Sequence, residues 1–137
     1  MNAIPRAVEL SWLGTELTWL SDSEARARFD RTNRRMDPTM GLLKLDAPQF
    51  CSLETVSAGD TASARAWLGE RIPTAENLFV IFGRRAVCTI PAASFLEHWQ
   101  DMFGPGPDDV LITNDQESWV LFYHHEDEFH FGRTKCA

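Results

Sequence analysis

Basic side chains are missing from a long part of this sequence: no lysine or arginine occurs between Arg85 and Arg133. That interval holds nine acidic residues, and only Arg133 and Lys135 follow it as basic residues. The last 52 residues therefore carry the net charge of -7, because the first 85 have eleven acidic and eleven basic side chains. A strongly negative surface repels the phosphates of nucleic acid and attracts cationic partners. The charge pattern argues against nucleic-acid binding and predicts an acidic face for a basic partner.

Cysteine is scarce, and long hydrophobic runs are absent. Cys51, Cys88 and Cys136 are odd in number, far apart and never in a C-x-x-C pair, which argues against a disulfide framework and a zinc knuckle. No apolar run approaches the roughly 20 residues that a transmembrane helix needs, and the N-terminal stretch makes a poor secretory signal. These absences predict a cytoplasmic protein with no contact to a membrane.

The chain does have enough apolar side chains to form a core. It contains 137 residues, of which 44% are hydrophobic and 24% are charged. A chain of about 150 residues buries roughly two-thirds of its unfolded surface and needs no covalent staple. No internal repeat or long linker divides the sequence. We therefore expect a single domain over residues 1–137.

The first half of the chain predicts a mixture of helices and strands. Five arginines between Arg26 and Arg35 have acidic residues among and beside them at helical spacings, which favours a solvated helix face over a nucleic-acid patch. Capping residues precede each predicted helix. The predicted elements are a strand or hairpin at residues 8–20, a helix from Asp22, a strand at 50–56 and a helix from Asp60 to Arg71.

The second half has a sharper pattern. Two β-rich runs at 78–82 and 86–90 flank Gly83, Arg84 and Arg85, which is typical of a hairpin. A 3.6-residue apolar period then predicts a helix from Pro91 to Phe103. Three further strands are predicted at 110–113, 119–123 and 128–132. The predicted order is β-β-α-β-β-β, within an α+β fold that has a mainly antiparallel sheet and two or three helices.

The register of the last hairpin decides which side chains share a face. If the two strands pair through a loop at 125–128, His124 lies opposite Phe129 and Phe122 lies opposite Phe131. Val120 and Phe122 would then share one face with Phe129 and Phe131. Trp119, Leu121 and Tyr123 would share the other face with Glu128 and His130.

The run from His124 to His130 is the strongest candidate for a metal site. It contains three histidines and three acidic residues, and zinc, iron and manganese accept such ligands. The run does not match H-E-x-x-H, and residues around a hairpin turn diverge, so convergence would need a distant ligand such as His98. A polar hairpin tip without metal or other cofactor is the favoured interpretation. A metal-dependent enzyme using His124, His125 and His130 is the alternative.

Other catalytic patterns are weak. The chain has no G-x-S-x-G and no reactive-cysteine context, and Cys88 lies in an apolar strand where a core position is expected. The G-P-G-P-D-D loop has prolines and aspartates where a phosphate loop needs free N–H groups. We therefore predict that the protein is not an enzyme.

The acidic stretch is the best candidate for a binding surface. Aromatic anchors inside a charged rim are typical of protein-binding hot spots. Tyr123 and His130 are predicted to be the more buried anchors. The predicted acidic rim consists of Asp108, Asp109, Asp115, Glu117, Glu126, Asp127 and Glu128.

The run DDVLITNDQESWVLFYHHEDEFHFGR, with the preceding LFVIFGRRAVCTIPAASFLEHWQDMFG, resembles small acidic bacterial immunity proteins encoded beside polymorphic or contact-dependent growth-inhibition toxins. The resemblance covers Leu78 to Arg133 and rests on composition and element order, including the W-x-x-x-Y-H-H-E-D hairpin. It implies a cytoplasmic antidote that binds and neutralises a cognate protein toxin, often a basic nuclease. No functional residue is carried over by motif. A regulatory or structural subunit of a larger assembly is a further alternative.

Overall fold

A computed structural model of the chain describes residues 10–136. The first two residues of the strand or hairpin predicted at 8–20 lie outside this range. Within it, a 3-10 segment at Ser11–Glu16 turns at Gly14, whose φ is 58°, and leads into the two-residue strand β1, Thr18–Trp19. Ser11–Glu16 of the predicted strand is therefore 3-10 helix with a kink at Gly14, and only Thr18–Trp19 is extended.

Three α-helices follow within the described residues. The first begins with a capping box, in which Ser21 and Glu24 satisfy each other's backbone N–H groups. The second is capped by Asp60, and hydrogen bonds from Ser63 hold the pKa of that carboxyl below its ordinary value. The helices are α1 at Asp22–Asn33, α2 at Thr61–Arg71 and α3 at Ala92–Met102.

The strands form one antiparallel sheet in the order β1-β4-β3-β5-β6-β7-β2. The α+β class with a mainly antiparallel sheet is thus confirmed. The first and second strands in the chain form the two edges of the sheet. After β1, the strands are β2 at Ser52–Ser57, β3 at Asn77–Gly83, β4 at Ala86–Pro91, β5 at Val110–Thr113, β6 at Trp119–His124 and β7 at Glu128–Arg133.

Helices cover both faces of the sheet. On one face α2 and α3 bury Leu68, Phe95 and Trp99 against Phe129 and Phe131 of the sheet. On the other face α1 packs through Ala25 and Phe29 into a smaller core. The sheet side of this smaller core consists of Ile81, Val87, Leu111, Val120 and Phe122. Because β5 and β6 are covered on both faces, every residue of these strands is buried.

The predicted register of the last hairpin is wrong by one residue. His124 pairs with Glu128, and Phe122 pairs with His130. The loop has three residues instead of four, and Asp127 closes it with a φ of 65° and an N–H bond to the carbonyl of His124. A shift of one residue exchanges the faces of a strand. Phe129 therefore joins Tyr123 in the larger core, and the ring of His130 contacts that of Phe122.

The chain has one disulfide, although its cysteine pattern argued against a disulfide framework. Cys51 and Cys136 form a disulfide between the start of β2 and the C-terminal segment, across 85 positions of sequence. Spacing in sequence does not reveal this pair, because β2 returns to β7 at the far edge of the sheet. Cys88 is buried, as predicted, and burial raises the pKa of its thiol to about 12.

No helix within residues 10–136 is long and apolar enough to cross a membrane.

Candidate functional site at the acidic end of the sheet

Five of the seven predicted rim residues lie at one end of the sheet. Val110 pairs with Tyr123, and His124 pairs with Glu128, so the segment before β5 and the turn between β6 and β7 meet there. Ser57 at the end of β2 pairs with Glu128 and brings Asp60 to the same end. We define the acidic end by the carboxylates of Asp108, Asp109, Glu126, Asp127 and Glu128.

Backbone hydrogen bonds fasten the two loops of the acidic end to each other. The N–H of His125 donates to Oδ1 of Asp109 at 2.9 Å, and the N–H of Gly106 donates to the carbonyl of His125 at 2.9 Å. Within its own loop, Asp108 accepts a hydrogen bond from the N–H of Gly104 at 2.9 Å. The orientations of these two carboxylates are therefore set before any partner arrives.

Asp127 holds the hairpin turn from inside. The phenol of Tyr123 donates to Oδ1 of Asp127 at 2.7 Å, and the carbonyl of Asp127 accepts the N–H of Ala58 at 2.8 Å. Burial, together with the charge of Asp127, raises the pKa of Tyr123 above its ordinary value, so the phenol remains a donor. Tyr123 is only 1% exposed. Tyr123 therefore holds Asp127 in place from the core, and it is too buried to be the partner-binding anchor that the sequence predicted.

A pocket of about 180 Å³ opens beside this pair of residues. Trp99 and Phe103 of the α3 end supply aromatic walls, and Gly59 lies at the start of the segment before α2. Tyr123 and Asp127 supply the polar wall. An opening with aromatic sides and a carboxylate is suited to a cationic side chain.

The other two predicted rim residues lie at the opposite end of the sheet. Glu117 is 1% exposed and has a φ of 53°. Its carboxylate accepts hydrogen bonds from Thr32 Oγ1 at 2.6 Å, Arg35 Nε at 3.0 Å and Arg28 Nη1 at 3.3 Å. Asp115 is exposed and pairs with Arg28 Nη2 at 3.1 Å. Neither residue adds to the acidic end, since α1 compensates the charge of both.

This buried cluster also corrects the expectation that the arginines of α1 form only a solvated face. Arg28 and Thr32 lie on one side of α1, four residues apart, and Arg35 follows in the turn after the helix; all three contact Glu117. Arg31 Nε approaches the same carboxylate at 3.6 Å. The helical spacing was a visible signal in the sequence. The identity of its acidic partner, more than 80 residues away, was not.

Histidines make up the remaining part of the acidic end. Ligand atoms of Asp109, His124 and His125 all lie within 4.8 Å of one another. His130 stays outside this group, because its Nε2 faces Glu128 at 3.4 Å and its ring centroid is 6.2 Å from that of His124. His98, the expected distant helper, contacts Glu16, Glu97 and Trp12 instead. The third possible ligand is Asp109, which sequence spacing did not reveal.

Basic residues border the acidic end on one side. The turn between β3 and β4 carries Arg84 and Arg85, and Ile81 of β3 pairs with Leu111 of β5, so this turn reaches the same end of the sheet. Arg84 pairs with Asp30 at 3.4 Å. The negative surface therefore extends over the ends of β5, β6, β7 and β2, and is bounded by the β3–β4 turn.

Together these features define a small α+β protein with an acidic end built from two hydrogen-bonded loops. No protein-family model, curated protein or solved structure matches the chain. The function is therefore inferred from the site alone.

Proposed function

We propose that this protein is an immunity-type antidote, not an enzyme, that binds a basic protein toxin through its acidic end. The observation that carries the proposal is the gathering of five carboxylates at one end of the sheet, away from the arginines of α1. Three of the five are already oriented by hydrogen bonds from the protein itself. Pre-orientation lowers the entropy lost on binding, which favours tight association.

The electrostatics support this choice of partner. Like charges that are held close together produce a field that speeds the capture of an oppositely charged protein by orders of magnitude at low ionic strength. Rapid capture is useful to an antidote. Glu126 is exposed and Glu128 is 45% exposed, so both can contact a partner directly. His130, beside Glu128, lies at the margin of this surface.

The pocket beside Asp127 gives the proposed contact a centre. A lysine or arginine of the toxin would enter the pocket beside Trp99 and Phe103 and approach the Asp127 carboxylate, which Tyr123 holds in place. Enclosed charge pairs contribute more to affinity than pairs at an exposed rim. We therefore expect the rim carboxylates to govern the association rate and the pocket to govern the dissociation rate.

Growth rescue tests the proposal directly. Each basic protein encoded beside this gene is expressed in a bacterial host, alone and together with this protein. One of them should stop growth, and co-expression should restore it. The double variant Glu126→Lys/Glu128→Lys should lose rescue and weaken binding at least tenfold in low salt. Asp127 is left unchanged because it holds the turn.

The matched control carries the same charge change elsewhere. Glu70 and Glu97 are 75% and 71% exposed and lie on α2 and α3. The variant Glu70→Lys/Glu97→Lys should keep rescue and most of the affinity. If the Glu126/Glu128 variant rescues as well as the control, or no neighbouring protein is toxic, the proposal fails.

The proposal includes a cytoplasmic location, which bears on the disulfide. Cytosolic thiol systems keep most cysteines reduced, so we expect Cys51 and Cys136 to be thiols in growing cells and to pair on oxidation. Alkylation of free thiols before cell lysis, followed by mass spectrometry, measures this. A disulfide already present in intact cells would place the protein in an oxidising compartment instead.

A further inference from the structure

Two strand ends bring an imidazole-rich group together at the acidic end. Asp109 immediately precedes β5 and His124 ends β6, and these strands pair so that Val110 lies opposite Tyr123. Asp109 and His124 are the next residues outward on the two chain segments, and His125 follows His124. Two imidazoles and one carboxylate from neighbouring strand ends form a ligand set that zinc and related divalent ions accept.

The spacing of Asp109 and His125 is close to that of two ligands on one ion. Nδ1 of His125 lies 3.0 Å from Oδ1 and 3.2 Å from Oδ2 of Asp109. Metal–ligand bonds of about 2.0–2.1 Å in a tetrahedral site place neighbouring ligand atoms roughly 3.3 Å apart. An ion can therefore replace the hydrogen bond between these two side chains with little movement of either. The backbone N–H of His125 continues to hold the carboxylate.

The ring of His124 is held in place beside the other two side chains. Its Nδ1 accepts the N–H of Glu126 at 3.0 Å. Its ring stacks on that of His125 with centroids 4.1 Å apart. The ligand atoms of the three side chains lie within 4.8 Å of one another, whereas neighbouring ligand atoms of one ion are roughly 3.3 Å apart. The rings must therefore rotate to bring these atoms closer together.

We propose that Asp109, His124 and His125 bind one divalent transition-metal ion of the zinc type. Three protein ligands leave at least one coordination position for water or for a group from a partner. The proposal is independent of toxin binding, since it concerns only these three side chains. It also differs from a site using His130, whose nitrogen is directed at Glu128.

Calorimetric titration of the purified full chain with Zn²⁺ is the first test, with Mg²⁺ as the comparison ion. We expect one Zn²⁺ per chain and no comparable binding of Mg²⁺, which prefers oxygen ligands. Asp109→Asn and His125→Ala should each weaken Zn²⁺ binding at least tenfold. Both positions are at the surface, so these variants should fold, and circular dichroism verifies that they do. His98→Ala is the matched control and should leave the affinity unchanged.

A second readout follows from the hydrogen bond to His124. Coordination through Nδ1 takes the lone pair that accepts the Glu126 N–H, and coordination through Nε2 moves a proton onto Nδ1. Either route removes that hydrogen bond. The amide resonance of Glu126 should therefore shift on addition of Zn²⁺, with saturation at one equivalent. Absence of Zn²⁺ binding, or binding that survives both Asp109→Asn and His125→Ala, would overturn the proposal while leaving the toxin test untouched.

Discussion

Replacing Glu117 with glutamine tests whether the buried ion cluster fastens α1 to the sheet. Glu117 is 1% exposed and contacts three arginines and Thr32. Removing one partner of a buried ion pair costs about 3–5 kcal/mol, because the remaining charge stays uncompensated in a poorly solvated position. The amide of Glu117→Gln keeps the size of the side chain, removes its charge and replaces one acceptor oxygen with an NH2 donor.

The exposure of the three arginines sets the expected size of the effect. Arg31 and Arg35 are 51% and 28% exposed, so both can turn towards water after the change. Arg28 is 9% exposed, and its guanidinium lies 3.9 Å from the ring centroid of Phe79, so it cannot escape without unpacking. Only one charge is then trapped, and Asp115 still pairs with it at 3.1 Å, so we expect the low end of the range, about 3 kcal/mol.

Urea unfolding of the oxidised protein measures the loss as a change in the unfolding midpoint at constant slope. Asp115→Asn is the control, because Asp115 contacts the same Arg28 but is 75% exposed, and an exposed pair contributes less than about 1 kcal/mol. Combining Glu117→Gln with Arg28→Met should recover part of the loss, since the trapped charge is then absent. A Glu117→Gln variant within about 0.5 kcal/mol of the wild type would refute the reasoning, because buried charges of this kind do not leave without a cost.

Three further outcomes are expected. Reduction of Cys51–Cys136, which are 85 positions apart, should lower the free energy of unfolding by about 4 kcal/mol, and Cys51→Ser should lose the same amount and become insensitive to reductant. Tyr123 is the sole tyrosine, and its pKa is raised, so the absorbance of the folded protein near 295 nm should not change around pH 10. The free energy of unfolding should fall as the pH rises above 10, because only the unfolded phenol ionises there. The hydrogen bonds from Arg71 lower the pKa of Glu54 below 4.5. Because Glu54 is 40% exposed, the pair should add less than about 1 kcal/mol to the free energy of unfolding at neutral pH. In urea unfolding, the difference between wild type and Glu54→Gln should vanish as the pH falls through the lowered pKa.

Local patterns predicted the elements of the second half well. The apolar period of α3 places Phe95, Trp99 and Met102 in the core, where the structure has them. Gly83 ends β3, and Arg84 and Arg85 form the turn to β4, close to the hairpin that the pattern predicts. Both signals act over a few residues, and such signals depend little on the rest of the fold.

The features that the sequence did not predict depend on contacts between distant parts of the chain, or on a loop that is one residue shorter than expected. A left-handed residue at Asp127 shortens the last loop by one and exchanges the faces of β7. A positive φ is uncommon for residues other than glycine, and no glycine at this position indicated a three-residue loop. The fold brings two distant pairs together. The disulfide between Cys51 and Cys136 forms because β2 pairs with β7, and Glu117 meets the arginines of α1 because α1 packs against the sheet.

The distribution of charge between the two ends of the sheet explains why the acidic end remains unbalanced. Arg28 and Arg35 are paired with Glu117 and Asp115 at the opposite end of the sheet. Arg84, in the turn that borders the acidic end, pairs with Asp30. Carboxylates held together without such compensation repel one another, and this repulsion lowers stability. A bound cation, whether a metal ion or a basic side chain, would relieve it, so the free protein should gain stability from added salt more than the Glu126→Lys/Glu128→Lys variant does.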